Sequence, residues 1–151
     1  TGKTIAFLLP ILEKIKPELL QVQTLIVTPT RELAIQIEQV IRKLGSGIKV
    51  NAIYGGRSGQ KDQLDLKQPP HILVGTPGRI SDHFRRETFS IQYINTIVLD
   101  EFDKSLEIGF EKEMQEILEA LYRVSKRILT SASHKIVIPD FMQLKNYNRI
   151  K

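Results

Sequence analysis

The sequence predicts an α/β fold, a mainly parallel sheet with helices on both faces. Short apolar runs alternate with helical patterns along nearly the whole chain of 151 residues. The runs are apolar throughout, as in strands buried on both sides. Alternation of strands with helices sets the strands parallel and lays the helices over the sheet. The length is one domain's worth, enough to bury a sizeable core. No repeat, low-complexity tract or internal linker interrupts it.

The first helical pattern covers residues 4–20, with an apolar face and Pro10 as a kink. A strand at 24–28 follows. Residues 31–44 form a helix with Leu33, Ile37, Val40, Ile41 and Leu44 on one stripe and Gly45 as C-cap. The next strand is 49–54, then a helix at 58–66. A strand at 71–74 leads to a helix at 78–84. His71, directly after Pro69 and Pro70, reads as a strand-start residue rather than a ligand. The strand at 96–99 precedes a helix at 110–122, and the last strand is 127–130. Phe7, Phe84 and Phe110 occupy apolar-face positions and read as core rather than base-stacking platforms.

Apolar residues make up 41% and charged residues 26% of the chain, ordinary values for a soluble globular protein. No stretch approaches the roughly 20 apolar residues that span a bilayer, so no membrane partner is expected. The absence of cysteine rules out disulfides and thiolate metal sites, and fits a cytoplasmic protein, with the nucleus open as an alternative. The formal net charge of +5 permits a polyanionic partner. The basic pairs Lys14/Lys16, Arg42/Lys43, Arg85/Arg86 and Lys126/Arg127 are scattered, as on a solvated surface. His134 has no second histidine or acid pair near it and suggests no metal site.

The most informative stretch runs from 96 to 103. An apolar strand ends in Asp100, Glu101 and Asp103. Packed carboxylates repel one another and are tolerable where a cation or water is their partner. Mg²⁺ suits them, especially when phosphates share its coordination. The chain opens on Thr1-Gly2-Lys3-Thr4, the tail of the phosphate loop G-x-x-x-x-G-K-[ST]. Together these imply a nucleoside-triphosphate site; alone, Gly-Lys-Thr is also an ordinary helix start. Ligands of a parallel sheet collect at the C-terminal ends of its strands. The segments there are 29–34, 55–57, 76–79, 100–103 and 131–133, rich in glycine, hydroxyls and arginine.

These segments resemble the motifs of the DEAD-box ATP-dependent RNA helicases. Pro29-Thr30-Arg31-Glu32-Leu33-Ala34 is similar to motif Ia in every residue, and Gly55-Gly56 to the glycine doublet. Thr76-Pro77-Gly78-Arg79 resembles motif Ib, Asp100 to Asp103 motif II, and Ser131 to Ser133 motif III. The resemblance spans nearly the whole chain, in order and spacing, and implies the first of two RecA-like P-loop domains. On this reading the chain is a partial domain. The strand and first half of the phosphate loop before Thr1 are expected to be missing, as are the glutamine motif and the second domain with its arginine fingers. Motif II carries Phe102 where the family usually has Ala, and motif III ends in Ser133 rather than Thr. The ring needs packing space under the sheet end.

The resemblance implies ATP and Mg²⁺ as cofactors. Gly2, Lys3 and Thr4 would bind nucleotide, Thr4 and Asp100 would hold the metal, and Lys3, Asp100 and Glu101 would be catalytic, Glu101 orienting the attacking water. Pro29, Thr30, Arg31, Gly56, Arg57, Thr76, Pro77 and Arg79 would hold single-stranded or duplex RNA by its phosphates and sugars. Asp103 with Ser131 and Ser133 would form a strut coupling the nucleotide site to closure on the second RecA-like domain. The plainer readings are a solvated Arg57, a surface Arg79 at a helix start, and serines satisfying local backbone. The whole protein would unwind or remodel RNA with ATP, while the chain alone would be inactive. The alternatives are a non-catalytic RNA-binding or scaffold domain of the same fold, or a DNA-directed translocase.

Overall fold

Parallel strands in the order β2-β3-β1-β4-β5 form a single sheet. The computed structural model describes residues 2–45, 47–56, 58–131 and 138–140. The elements in chain order are α1 (Gly2–Lys14), β1 (Thr24–Val27), α2 (Arg31–Leu44), β2 (Val50–Ile53), α3 (Gly59–Leu66), β3 (Ile72–Gly75), α4 (Pro77–Arg86), β4 (Thr96–Leu99), α5 (Phe102–Ile108), α6 (Glu111–Ala120) and β5 (Lys126–Leu129). Among the described residues, no helix is long and apolar enough to cross a membrane.

Side chains of successive strand residues point to opposite faces, and both faces are buried. Leu25, Val27, Ile53, Leu73, Ile97 and Leu99 pack with Leu66, Ile80, Met114, Ile117 and Leu118, so α3, α4 and α6 cover one side. Ile26, Val50, Ile72, Val74 and Val98 pack with Phe7, Leu8, Ile11, Ala34, Ile37 and Ile41, so α1 and α2 cover the other. Each fully buried aliphatic chain contributes about 1.5–3 kcal/mol by leaving water. The α2 stripe is Ala34-Ile37-Ile41, and Leu44, expected on it, is exposed. Phe7 is buried, and Phe84 and Phe110 pack against the core as expected.

Three expectations need correction. The first helix runs through Pro10 but ends at Lys14, not at residue 20. Pro17 disfavours helical backbone at Lys16, and the Gln23 amide occupies the Lys16 amide and the Lys16 and Leu19 carbonyls, each at 2.9 Å. The second correction is α5, which begins directly at Phe102 and was expected as loop. Glu101 precedes it with φ 48° and ψ 50°, a left-handed turn that a glutamate does not advertise. The third concerns β5, expected to be buried on both faces. Among the described residues it pairs with β4 alone, with Lys126 exposed and the other three residues half-buried.

His71 starts β3 as a structural residue. Its Nδ1 accepts from the Lys49 amide and its Nε2 faces the Pro17 carbonyl, both at 2.9 Å, so the Nε2–H tautomer satisfies both partners. Gly75 ends β3 where no side chain fits. An added Cβ would lie 2.7 Å from the Ile53 carbonyl oxygen and 2.9 Å from Ile80 Cγ1. Its bareness lets β2, β3 and α4 close up and fixes where Thr76 leaves the sheet.

Candidate nucleotide and nucleic-acid site

The ladder continues one residue beyond the strands and makes a rim. Thr28 donates its amide to the Gly75 carbonyl at 2.9 Å, Thr76 to Ile53 at 3.2 Å, Asp100 to Val27 at 2.8 Å and Thr130 to Leu99 at 3.0 Å. Thr28, Thr76, Asp100 and Thr130 therefore share one row at the C-terminal ends of their strands. Continuing the strand alternation carries Thr28, Asp100 and Thr130 toward the α1–α2 face. The N-terminus of α1 belongs to the same end: Leu12, near its C-terminus, approaches Gly45 at the far end of α2, while α2 starts at the rim. Gly2, Lys3 and Thr4 thus open α1 on the rim side of the face that Asp100 approaches.

The acidic turn is built tightly. Asp100 is nearly buried, at 8% exposure. The Thr130 hydroxyl donates to Asp100 Oδ1 at 2.5 Å and accepts from the Glu101 amide at 2.9 Å. Glu101 keeps a quarter of its side chain exposed, with Lys104 Nζ 3.7 Å from its carboxylate. Phe102 is buried at 3% in the α3–α6 core, which is where the ring finds its space. Asp103 lies in the first turn of α5.

The other rim loops are joined through Tyr54. Thr30 caps α2, its hydroxyl accepting from the Leu33 amide at 3.2 Å. Arg31 lies over the Tyr54 ring at 5.6 Å, and its guanidinium approaches Gly56. Thr76 precedes α4, with Pro77 at its start. Arg79 Nε donates to the Tyr54 carbonyl at 3.2 Å and sits 3.6 Å from Asp62, with only 16% of its side chain exposed. Asp62 is wholly buried and also meets His83 Nε2 at 3.3 Å, while His83 Nδ1 contacts the Thr88 hydroxyl at 2.9 Å.

Comparison with known proteins names this arrangement. The description DEAD/DEAH box helicase matches residues 1–140. The chain belongs to that family. It is 44% identical over 135 residues to the DEAD-box ATP-dependent RNA helicase CshA of Bacillus licheniformis, covering 88% of this chain and 28% of that protein. CshA of Bacillus subtilis is 42% identical over 135 residues, with 88% and 27% covered. Among solved structures, a DEAD box protein of the hyperthermophile Methanococcus jannaschii superposes with TM-score 0.82 at 36% identity, over 89% of this chain and 37% of that one. A Saccharomyces cerevisiae dbp5 variant bound to nup159, gle1, ip6 and ADP gives TM-score 0.80 at 31% identity, over 89% and 36%. The fold is thus the RecA-like fold of DEAD-box domains, and the chain spans under a third of the curated relatives it matches.

The rim brings together Thr30, Arg31, Gly56, Thr76, Pro77, Arg79, Asp100, Glu101 and Thr130, with Pro29 just before the α2 cap. Thr1, Arg57 and Ser133, and the side chain of Lys3, lie outside the described residues. The expected strut from Asp103 to Ser131 and Ser133 therefore remains a proposal. Sequence reading missed Thr130, Tyr54, Asp62 and His83. The signal for Asp62 was an acid four residues before Leu66 on the buried face of a short helix. For Thr130 it was a hydroxyl level with the acidic tip.

The residues fit Mg²⁺ and phosphates. A hard cation shared with phosphates and water needs only one or two carboxylates from the protein, and Asp100 stands at the rim. Thr28 Oγ1, in the same row as Asp100, is buried with no hydrogen-bond partner. A buried orphan hydroxyl at a ligand-binding rim calls for an ordered water or ligand oxygen.

Proposed function

We propose that this chain supplies the ATP site and one RNA-holding surface of an ATP-dependent RNA helicase. The observation that carries the reading is the single rim, which sets the acidic turn of motif II beside the motif Ia, glycine-doublet and motif Ib loops. Bound Mg²⁺ supplies charge neutralisation across the phosphates. Gly2, Lys3 and Thr4, at the start of α1, would bind the nucleotide's phosphates. Asp100 and Thr4 hold the metal, and Glu101, partly exposed, orients and polarises the attacking water. Positioning and electrostatics provide most of the catalysis in phosphoryl transfer.

RNA lies across Pro29, Thr30, Arg31, Gly56, Arg57, Thr76 and Pro77, held by phosphate and sugar without reading bases. Arg79 has a different part. Its side chain is mostly turned inward to Tyr54 and Asp62, so it shapes the rim as well as lending it charge. A second RecA-like domain of the whole protein closes the cleft and supplies arginines, with Asp103, Ser131 and Ser133 relaying closure.

The test is RNA-stimulated ATP hydrolysis and duplex separation by the whole protein. Lys3→Ala and Glu101→Gln should each abolish turnover, and Glu101→Gln should still bind ATP. Turnover surviving both substitutions would refute the assignment.

A further inference from the structure

We propose that Thr130, ahead of motif III, is a positioning residue for the acidic turn: its single hydroxyl sets Asp100 and Glu101 together. The proposal rests on the helicase reading and deepens it by naming what presents the metal-binding carboxylate and the water-orienting carboxylate as one unit.

Thr130 holds four successive residues. Its amide donates to the Leu99 carbonyl at 3.0 Å, and its carbonyl accepts from the Phe102 amide at 3.1 Å. Between them, its hydroxyl donates to Asp100 Oδ1 at 2.5 Å and accepts from the Glu101 amide at 2.9 Å. A hydroxyl offers one proton and two lone pairs, so one group meets both needs. No apolar side chain of the same shape does.

The hydroxyl matters because the turn is strained. Glu101 has φ 48°, one of two non-glycine residues with positive φ among the described residues. That conformation costs an L-residue of this kind about 1–2 kcal/mol and persists only where the surroundings hold it. The strain has a consequence for function. It turns the chain sharply, leaving Asp100 on the α1–α2 side and Phe102 anchored in the opposite core. Glu101 is left between them, a quarter exposed at the rim. A charge-assisted bond to Oδ1 also fixes the Asp100 carboxylate plane, which orients its other oxygen. Thr130 directly follows β5, and Ser131 of motif III is the next residue. A shift of motif III is therefore transmitted to both carboxylates through Thr130.

Amide hydrogen exchange of the nucleotide-free whole protein tests this without any activity. Thr130→Val and Thr130→Ala remove the hydroxyl, and Thr130→Ser keeps it. Loss of a hydrogen bond holding a strained turn should speed exchange at the acidic turn about tenfold in Val and Ala. Exchange in β1 should not change, and Ser should restore the parent rate. In the same preparations, Val and Ala should lower RNA-stimulated kcat about tenfold and raise the Mg²⁺ needed for half-maximal rate several-fold. RNA affinity should stay within about twofold, since the RNA loops hang on Tyr54 instead, and Ser should restore kcat.

Unchanged exchange in Val and Ala overturns the proposal, as does a Ser variant impaired like Val. Global unfolding of both Val and Ala assigns the hydroxyl to stability alone and also overturns it. If the unmodified protein shows no RNA-stimulated hydrolysis, the helicase reading fails, and the exchange result still decides whether Thr130 sets the turn.

Discussion

Asp62 is the buried acid whose removal should be felt most. Its carboxylate is wholly buried, with Oδ2 shared between His83 Nε2 at 3.3 Å and Arg79 Nε at 3.6 Å. Oδ1 has no hydrogen-bond partner. Asp62→Asn keeps the shape and still accepts from His83, but loses the charge facing Arg79. Hydrogen bonds to charged groups contribute about 1.5–3 kcal/mol. The 3.6 Å separation and the unsatisfied oxygen argue for the lower end, about 1.5 kcal/mol. For a domain of this size that lowers the melting temperature by about 3–6 °C. Asp62→Leu leaves both His83 and Arg79 without their acceptor and should cost more, about 3 kcal/mol. Thermal and urea unfolding measure both. A double-mutant cycle of Asp62→Asn with Arg79→Gln should give a coupling of about 1 kcal/mol. RNA affinity should fall with Asp62→Asn, because Arg79 and the Tyr54 carbonyl lose their anchor. A Leu variant as stable as the parent, with unaltered RNA binding, would show that the network organises nothing at the rim.

Three further outcomes are expected. Gly75→Ala forces a methyl against the Ile53 carbonyl at 2.7 Å, so it should destabilise by about 2–3 kcal/mol in urea unfolding. Glu116 is held below its usual value of 4.5 by the Ser81 hydroxyl and then by Arg85. Its contribution is thus present above the unfolded value and lost as pH falls through the lower folded value; Glu116→Gln should flatten stability against pH in that acid window, as read by melting at stepped pH. Arg31→Ala should weaken single-stranded RNA of any sequence alike and reduce the slope of log affinity against log salt by about 0.7, measured by fluorescence anisotropy; a base-dependent loss would point to direct readout instead.

The sheet and most helices were legible because hydrophobic pattern reports burial directly. Runs such as Thr96–Leu99 are buried at every position, and their alternation with helical patterns points to a parallel sheet covered on both sides. Capping was legible at Gly45, expected to end α2, whose amide donates to the Ile41 carbonyl at 2.8 Å. Helix α5 was not, because its entry is a left-handed glutamate whose amide bonds the Thr130 hydroxyl beyond the neighbouring strand. That is tertiary context, which local preference does not carry. The end of α1 was lost for a similar reason, since the Gln23 amide that ties the following loop looks like any polar residue.

At the site, motif letters found the carboxylates and loops but not what holds them. Asp62 and His83 are separated by 21 positions and Thr130 and Asp100 by 30. Neither pair shares a helix face or a turn, so no spacing rule brings them together. Thr130 and Asp100 meet because the parallel register aligns the ends of β4 and β5, and Asp62 and His83 because α3 and α4 cover the same face of the sheet. The two networks also divide the rim. Thr130 bonds the acidic turn from the β4–β5 side, while Asp62, Arg79 and Tyr54 link the loops that follow β2 and β3. Between them stands β1, whose Thr28 hydroxyl is buried and unpaired. An ordered ligand oxygen or water at Thr28 would touch the row between Thr76 and Asp100. On the helicase reading, β1's tip would then lie between the nucleotide side of the rim and its RNA side.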